Sequence, residues 1–130
     1  MCMHTVHNEA DKQAAIKKKT GPGGWITIWK TVTYNNQPLY RKSSGVHFRK
    51  GLNVDPHVGE SEFFLHYPTG FHCWATRKMA REQDNVGTWK VIKVRIRPSW
   101  VSSVGTQFWG GERGVVFVVD RFYTDLKRQR

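Results

Sequence analysis

Three cations occupy alternate positions of one short stretch: Lys93, Arg95 and Arg97. Side chains two residues apart on a β-strand share a face, so these would stand at intervals of roughly 6–7 Å. That is close to the separation of successive phosphates along a polynucleotide backbone. Ammonium and guanidinium groups are all-donor groups suited to phosphate oxygens, and guanidinium can engage them in pairs. Like charges side by side repel, so a row of three invites an anionic ligand as its explanation. Arg41 and Arg49 are candidate flanking contacts, and Trp89 or Trp100 would stack a base. The competing reading is a solvated outer face with the tryptophans in the core.

The stretch that holds the row, residues 89–98, reads Trp-Lys-Val-Ile-Lys-Val-Arg-Ile-Arg-Pro. Its alternation is that of a strand. Ile92, Val94 and Ile96 would face a core, while Trp89, Val91, Lys93, Arg95 and Arg97 would face the other way. A helix would scatter the same charges around its circumference.

Other residue sets suggest other chemistry. Cys2, His4 and His7, with His72 and Cys73, hold metal-ligating types in a Cys-x-His-x-x-His pattern. Paired structural-zinc spacings are absent, and His72 and Cys73 would point to opposite sides of a strand. A mobile tail and a buried cysteine explain the same residues. Removal of Met1 would expose an amine beside the Cys2 thiol, the arrangement of N-terminal nucleophiles, although no amidotransferase context accompanies it. No carboxylate pair for acid–base work stands out. Glu60 and Glu62 look like a solvated edge, and Asp120 beside Arg121 reads as an ion pair at a strand end. There is no Gly-x-Ser-x-Gly elbow. Thr20-Gly-Pro-Gly-Gly24 follows a helix and precedes a strand, the reverse of a phosphate-binding loop, so it is expected to be a flexible corner.

The order Tyr40-Arg41, then Ser43-Ser44, then Gly70-Phe71-His72 ahead of a helix with Ala80, then a loop with Glu112, resembles ADP-ribosyltransferase-type domains in sequence order rather than in spacing. That resemblance implies a nicotinamide dinucleotide as substrate, with Arg41, His72 and Glu112 as catalytic candidates. The Met-Cys start and mid-chain Gly-Phe-His also resemble small phage and bacterial proteins in layout. This resemblance implies an accessory or host-interaction protein and brings no activity with it.

The elements that must position these residues follow from capping and periodicity. Asn8 caps a helix over residues 8–19, with Glu9 and Asp11 in its first turn and three lysines in its last. Its apolar stripe is thin: Ala10, Ala14, Ala15 and Ile16. Strands are expected over residues 25–33, 39–42, 46–49, 62–67, 71–75 and 89–98, with residues 51–59 as a loop. Thr76 caps a second helix through about Gln83, ended by residues 85–87, with Met79 and Ala80 inward. Residues 100–108 are partly extended and 110–114 form a loop. The apolar run of residues 115–119 needs cover on both faces and continues to Tyr123. The chain then reads as one α+β domain with a mainly antiparallel sheet of about six strands and two short helices. It divides into a helix-bearing N-terminal segment (1–24) expected to be weakly anchored and mobile, a core (25–123) and a basic tail (124–130).

The totals narrow the partner. The 130 residues carry 21 Lys and Arg against 10 Asp and Glu, a formal net charge of +11. Such an excess favours nucleic acid or a nucleotide. No apolar run is long enough for a membrane span and no signal peptide is evident. Two cysteines give no disulfide framework. The expectation is therefore a cytoplasmic binding module for a phosphate-bearing ligand, without membrane or cofactor and with oligomeric state open. The rivals are the dinucleotide-using enzyme and a module that binds a host protein through exposed tryptophans.

Overall fold

The computed structural model describes residues 3, 5–37, 47–55, 70–83, 89–109 and 111–128. They form an α+β architecture in which two helices pack on a mainly antiparallel sheet. The elements are β1 (Thr5–Val6), α1 (Glu9–Lys19), β2 (Ile26–Thr33), β3 (Gly51–Val54), β4 (Phe71–Trp74), α2 (Arg77–Gln83), β5 (Trp89–Ile96), β6 (Val101–Trp109), β7 (Glu112–Val119) and β8 (Arg121–Arg128). The strand order is β1-β6-β7-β4-β2-β5-β8-β3, with every described pairing antiparallel. The described sheet thus has eight strands rather than about six.

The additional strands arise where pairing, not composition, decides. Residues 51–54, expected in a loop, form edge strand β3 against β8, and residues 47–49, expected in a strand, are irregular. Asn53 sets this exchange: its carboxamide accepts from the Arg49 N–H and donates to the Arg49 carbonyl, each at 2.8 Å. The run expected to continue from Val115 to Tyr123 breaks at Asp120, and residues 121–128 return as β8. Lys127 and Arg128 therefore belong to a strand, not a tail. The loop expected over 110–114 is shorter, since β7 begins at Glu112, and residues 101–109 are a full strand. The expected strands at 39–42 and 62–67, the helix stop at 85–87 and Arg130 of the basic tail lie outside the described residues.

The inner face of the sheet holds Ile26, Ile28, Val32, Phe71, Cys73, Ile92, Val94, Ile96, Val104, Phe117, Val119 and Phe122 in one buried cluster with Ile16 and Phe48. Phe71 on β4 and Phe122 on β8 are three ladder steps apart, about 14 Å in a flat sheet. Their ring centroids are nevertheless 5.2 Å apart, and Phe48 stands 5.2 Å from each. The sheet is therefore curled toward this face. Lys30 also points inward, donating to the His72 carbonyl at 2.8 Å with Nζ 5.7 and 5.8 Å from the Phe48 and Phe71 ring centroids.

α1 begins as its sequence directs. Asn8 is the N-cap and accepts from the Asp11 N–H at 2.8 Å. Its single buried residue is Ile16, with Ala15 packed alongside, while Ala10 and Ala14 are exposed. The N-terminal segment is better anchored than expected, because β1 pairs with β6 and Met3 is buried.

The outer face is divided. Over its β4 and β7 half lies α2, whose Met79 and Ala80 pack with Trp74, Val91, Val116, Val118 and Met3. Two hydrogen bonds fasten it: Thr31 donates to the Ala80 carbonyl at 2.7 Å, and the Trp74 indole donates to Gln83 at 2.9 Å. Gly114 makes the fit possible, since a Cβ there would lie 2.7 Å from Met79 Cγ and 2.8 Å from the Trp74 ring. Gly114→Val is expected to destabilise the protein by about 1–3 kcal/mol through overpacking, read as a lower urea midpoint. An unchanged midpoint would show that α2 does not sit there.

Candidate phosphate-binding face

The other half of the outer face bears the cationic row. β2 and β5 pair in unbroken register from Ile26↔Ile96 to Thr33↔Trp89. Ile92, Val94 and Ile96 are fully buried on the inner side, whereas Lys93 and Arg95 are exposed and Arg97 is half-buried on the outer side. Among the described residues, no carboxylate lies within ion-pairing distance of these three; the described ion pairs are Lys12–Glu9, Lys78–Glu112 and Arg121–Asp120.

Trp25, on the approach to β2, holds two of the three cations in place. The Arg97 guanidinium carbon lies 3.7 Å from the Trp25 ring centroid and that of Arg95 lies 4.6 Å away. A cation–π contact of this kind is worth roughly 0.5–2 kcal/mol according to exposure, and of the Arg97 N–H groups one already donates to the Gly23 carbonyl. Trp25 is braced edge-on by Trp100, centroid to centroid 5.9 Å. Four residues further along, Trp29 pairs with Lys93 across the ladder and has Lys19 Nζ 5.4 Å from its ring centroid. Burial, with a smaller contribution from neighbouring Lys18, lowers the Lys19 pKa.

The glycine corner before β2 makes this arrangement possible. Gly23 and Gly24 have φ of 73° and 77°, the left-handed region open to glycine. The chain reverses there, the Gly21 N–H donating to the Trp25 carbonyl at 2.8 Å and Thr20 bridging to Ile26. Arg97 donates to the Gly23 carbonyl. The corner expected to be flexible is thus hydrogen-bonded on both sides of the turn.

Three rows of neighbours cross the face. Leu52, Tyr123, Arg95 and Thr27 are successive Cα partners over β3, β8, β5 and β2. Lys93 and Trp29 flank this row on one side. Val54 and Arg121 flank it on the other, the latter paired with Asp120 at 3.0 Å. That carboxylate raises the Arg121 pKa through its hydrogen bond and then its charge.

The remaining candidates fall elsewhere. Trp89 is half-buried opposite Thr33, four residues from Lys93 or roughly 13 Å along the strand, with Val91 under α2 between them. Trp100 is half-buried, edge-on to Trp25 and with the Arg121 guanidinium carbon 5.9 Å from its ring centroid. Arg49 is exposed just before edge strand β3. Arg41 lies outside the described residues, as do Tyr40, Ser43, Ser44, Glu60 and Glu62.

His72 and Glu112, expected to share a catalytic cleft, are not brought together. His72 is the partner of Val118, six residues along β7 from Glu112, or roughly 20 Å, and Glu112 is ion-paired with Lys78 at 3.1 Å. The described zinc candidates, His7, His72 and Cys73, are likewise not brought together. Cys2 and His4 lie outside the described residues, Cys73 faces the inner core, and His72 faces the opposite side. His7 follows β1, three ladder steps from β4. No three metal-ligating side chains converge among the described residues. No described helix is long and apolar enough to cross a membrane.

Sequence reasoning missed Trp25, Trp29 and Lys19 as parts of this face, and Lys30 as a core-facing lysine. The signal for Lys30 was present, since its position lies between Ile28 and Val32 on the apolar side. Comparison with protein-family models, curated proteins and solved structures returns no match to this chain.

Burial pushes the Cys73 thiol up to about 11, with the charge of Lys30 pulling partly back. The folded-state value exceeds the ordinary thiol pKa, so this residue's contribution to stability is complete below about 9 and declines as pH rises toward 11. Iodoacetamide at pH 8 is expected to leave the Cys73 peptide unmodified in the native protein and to label it in urea. Equal labelling in both states would contradict the burial.

Proposed function

We propose that the protein is a small basic binding module for a phosphate-bearing ligand, nucleic acid or nucleotide, and that the β5 row is its phosphate-binding element. The observation that supports this reading most strongly is the exposure of Lys93 and Arg95 beside Arg97, with no carboxylate in reach among the described residues. Unneutralised cations on one strand are a favourable surface for a polyanion, because binding releases its counterions. Stacking on Trp25 restricts both guanidinium groups before a ligand arrives, which reduces the ordering cost of binding. The net charge of +11 adds long-range attraction of the same sign.

Three phosphate contacts on a single strand correspond to a log–log salt slope of about −2, at about −0.7 per contact. In the double variant Arg95→Gln, Arg97→Gln the slope should fall to about −0.7, with the thermal midpoint close to that of the wild type. Fluorescence anisotropy of a labelled oligonucleotide over a salt series reads both quantities. A slope unaltered by the double substitution would exclude the β5 row as the phosphate-binding element.

A further inference from the structure

The aromatic rings of the open face are not equivalent. Trp25 is covered by Arg95 and Arg97, and Trp29 by Lys19. Tyr123 is 49% exposed, and its ring has neither an aromatic nor a cationic neighbour among the described residues. It lies directly across the ladder from Arg95 on one side and from Leu52, also 49% exposed, on the other. Directly opposed residues have Cβ atoms about 4.5–5.5 Å apart. The Arg95 guanidinium leans toward Trp25 on the β2 side, so a phosphate it holds would lie within about two strand spacings, roughly 10 Å, of the Tyr123 ring, a gap that the sugar and base of its own nucleotide can bridge.

Resting on the proposed phosphate-binding role of the β5 row, we infer that the ligand is single-stranded nucleic acid. Its backbone lies along Lys93, Arg95 and Arg97, and its bases turn toward β8 and β3, one of them stacked on Tyr123. Three cationic side chains rooted at intervals of roughly 6–7 Å along β5, two of them gathered on the Trp25 ring, offer contacts to several linked phosphates. A free tyrosine face calls for a base whose π-surface is available, and in a duplex those surfaces are stacked on one another. Leu52 and Val54, exposed beyond Tyr123 on the same face, extend an apolar surface for a neighbouring sugar or base. Stacking accepts any base, so recognition follows strandedness more than sequence.

The test compares wild type with Tyr123→Ala and Tyr123→Phe. The probes are labelled oligothymidylate and oligouridylate of ten nucleotides, the oligothymidylate annealed to its complement, and inorganic polyphosphate as competitor. Expected results are tighter binding of at least one single strand than of the duplex, and a loss of at least about fivefold in Tyr123→Ala. Tyr123→Phe should bind within about twofold of wild type, since the ring face is kept. The salt slope and the competition by polyphosphate should be unchanged in Tyr123→Ala, because phosphate contacts are untouched. Wild-type affinity in Tyr123→Ala, or a duplex bound as tightly as both single strands, would overturn the stacking inference. If polyphosphate still competed, phosphate binding by β5 would stand alone. Failure of wild type to bind oligonucleotide or polyphosphate at low salt would overturn both.

Discussion

The in-register ladder between β2 and β5 is the constraint from which the rest of the open face follows. Eight consecutive pairs, Ile26↔Ile96 to Thr33↔Trp89, fix which residues stand side by side. Because side chains alternate, a slip of one residue would send Lys93 and Arg95 into the core and Val94 and Ile96 into water. Burying either cation without a partner costs several kcal/mol, so the register has little freedom. Fixing it also sets Trp29 across from Lys93, and brings Trp25, just before β2, against Arg95 and Arg97. The tryptophans and cations meet because the ladder makes them neighbours.

The same energetics divide the outer face. Trp74, Val116 and Val118 are apolar on that side and gain from exclusion of water, which α2 and Met3 provide. Lys93 and Arg95 would lose hydration under such a cover, and that half stays exposed. Curling of the sheet around Phe48, Phe71 and Phe122 makes the outer face the convex one. A convex, cationic surface with an uncovered tyrosine is poorly shaped to enclose a small molecule and well shaped to support an extended chain.

Several elements were legible because their signal is local. The Asn8 cap with Asp11 three residues on, the acidic start and lysine-rich end of α1, the Thr76 start of α2 and the alternation of β5 all depend on residues within a few positions. β3, β1 and the separation of β7 from β8 were not legible, because each depends on a distant partner. Leu52 and Val54 are exposed on an edge strand and give no burial pattern to read. Val6 likewise acquires its strand conformation from Gly105, ninety-nine positions away. Trp89 and Trp100 are close to the cations in sequence, whereas Trp25 reaches Arg95 and Arg97 only across the ladder, which no local stretch reveals.

The sequence alone determined that residues 89–96 would be a two-sided strand with a cationic edge and a core edge, because a period of two admits no other arrangement of those side chains. It also determined the helix starts and the α+β class. Only the tertiary structure decided which aromatics meet the cations, which half of the outer face α2 covers, and that His72 and Glu112 stand far apart. Those outcomes depend on strand order and sheet curl. Both are set by the summed packing of residues from six strands into one core, and no local stretch of chain contains that sum.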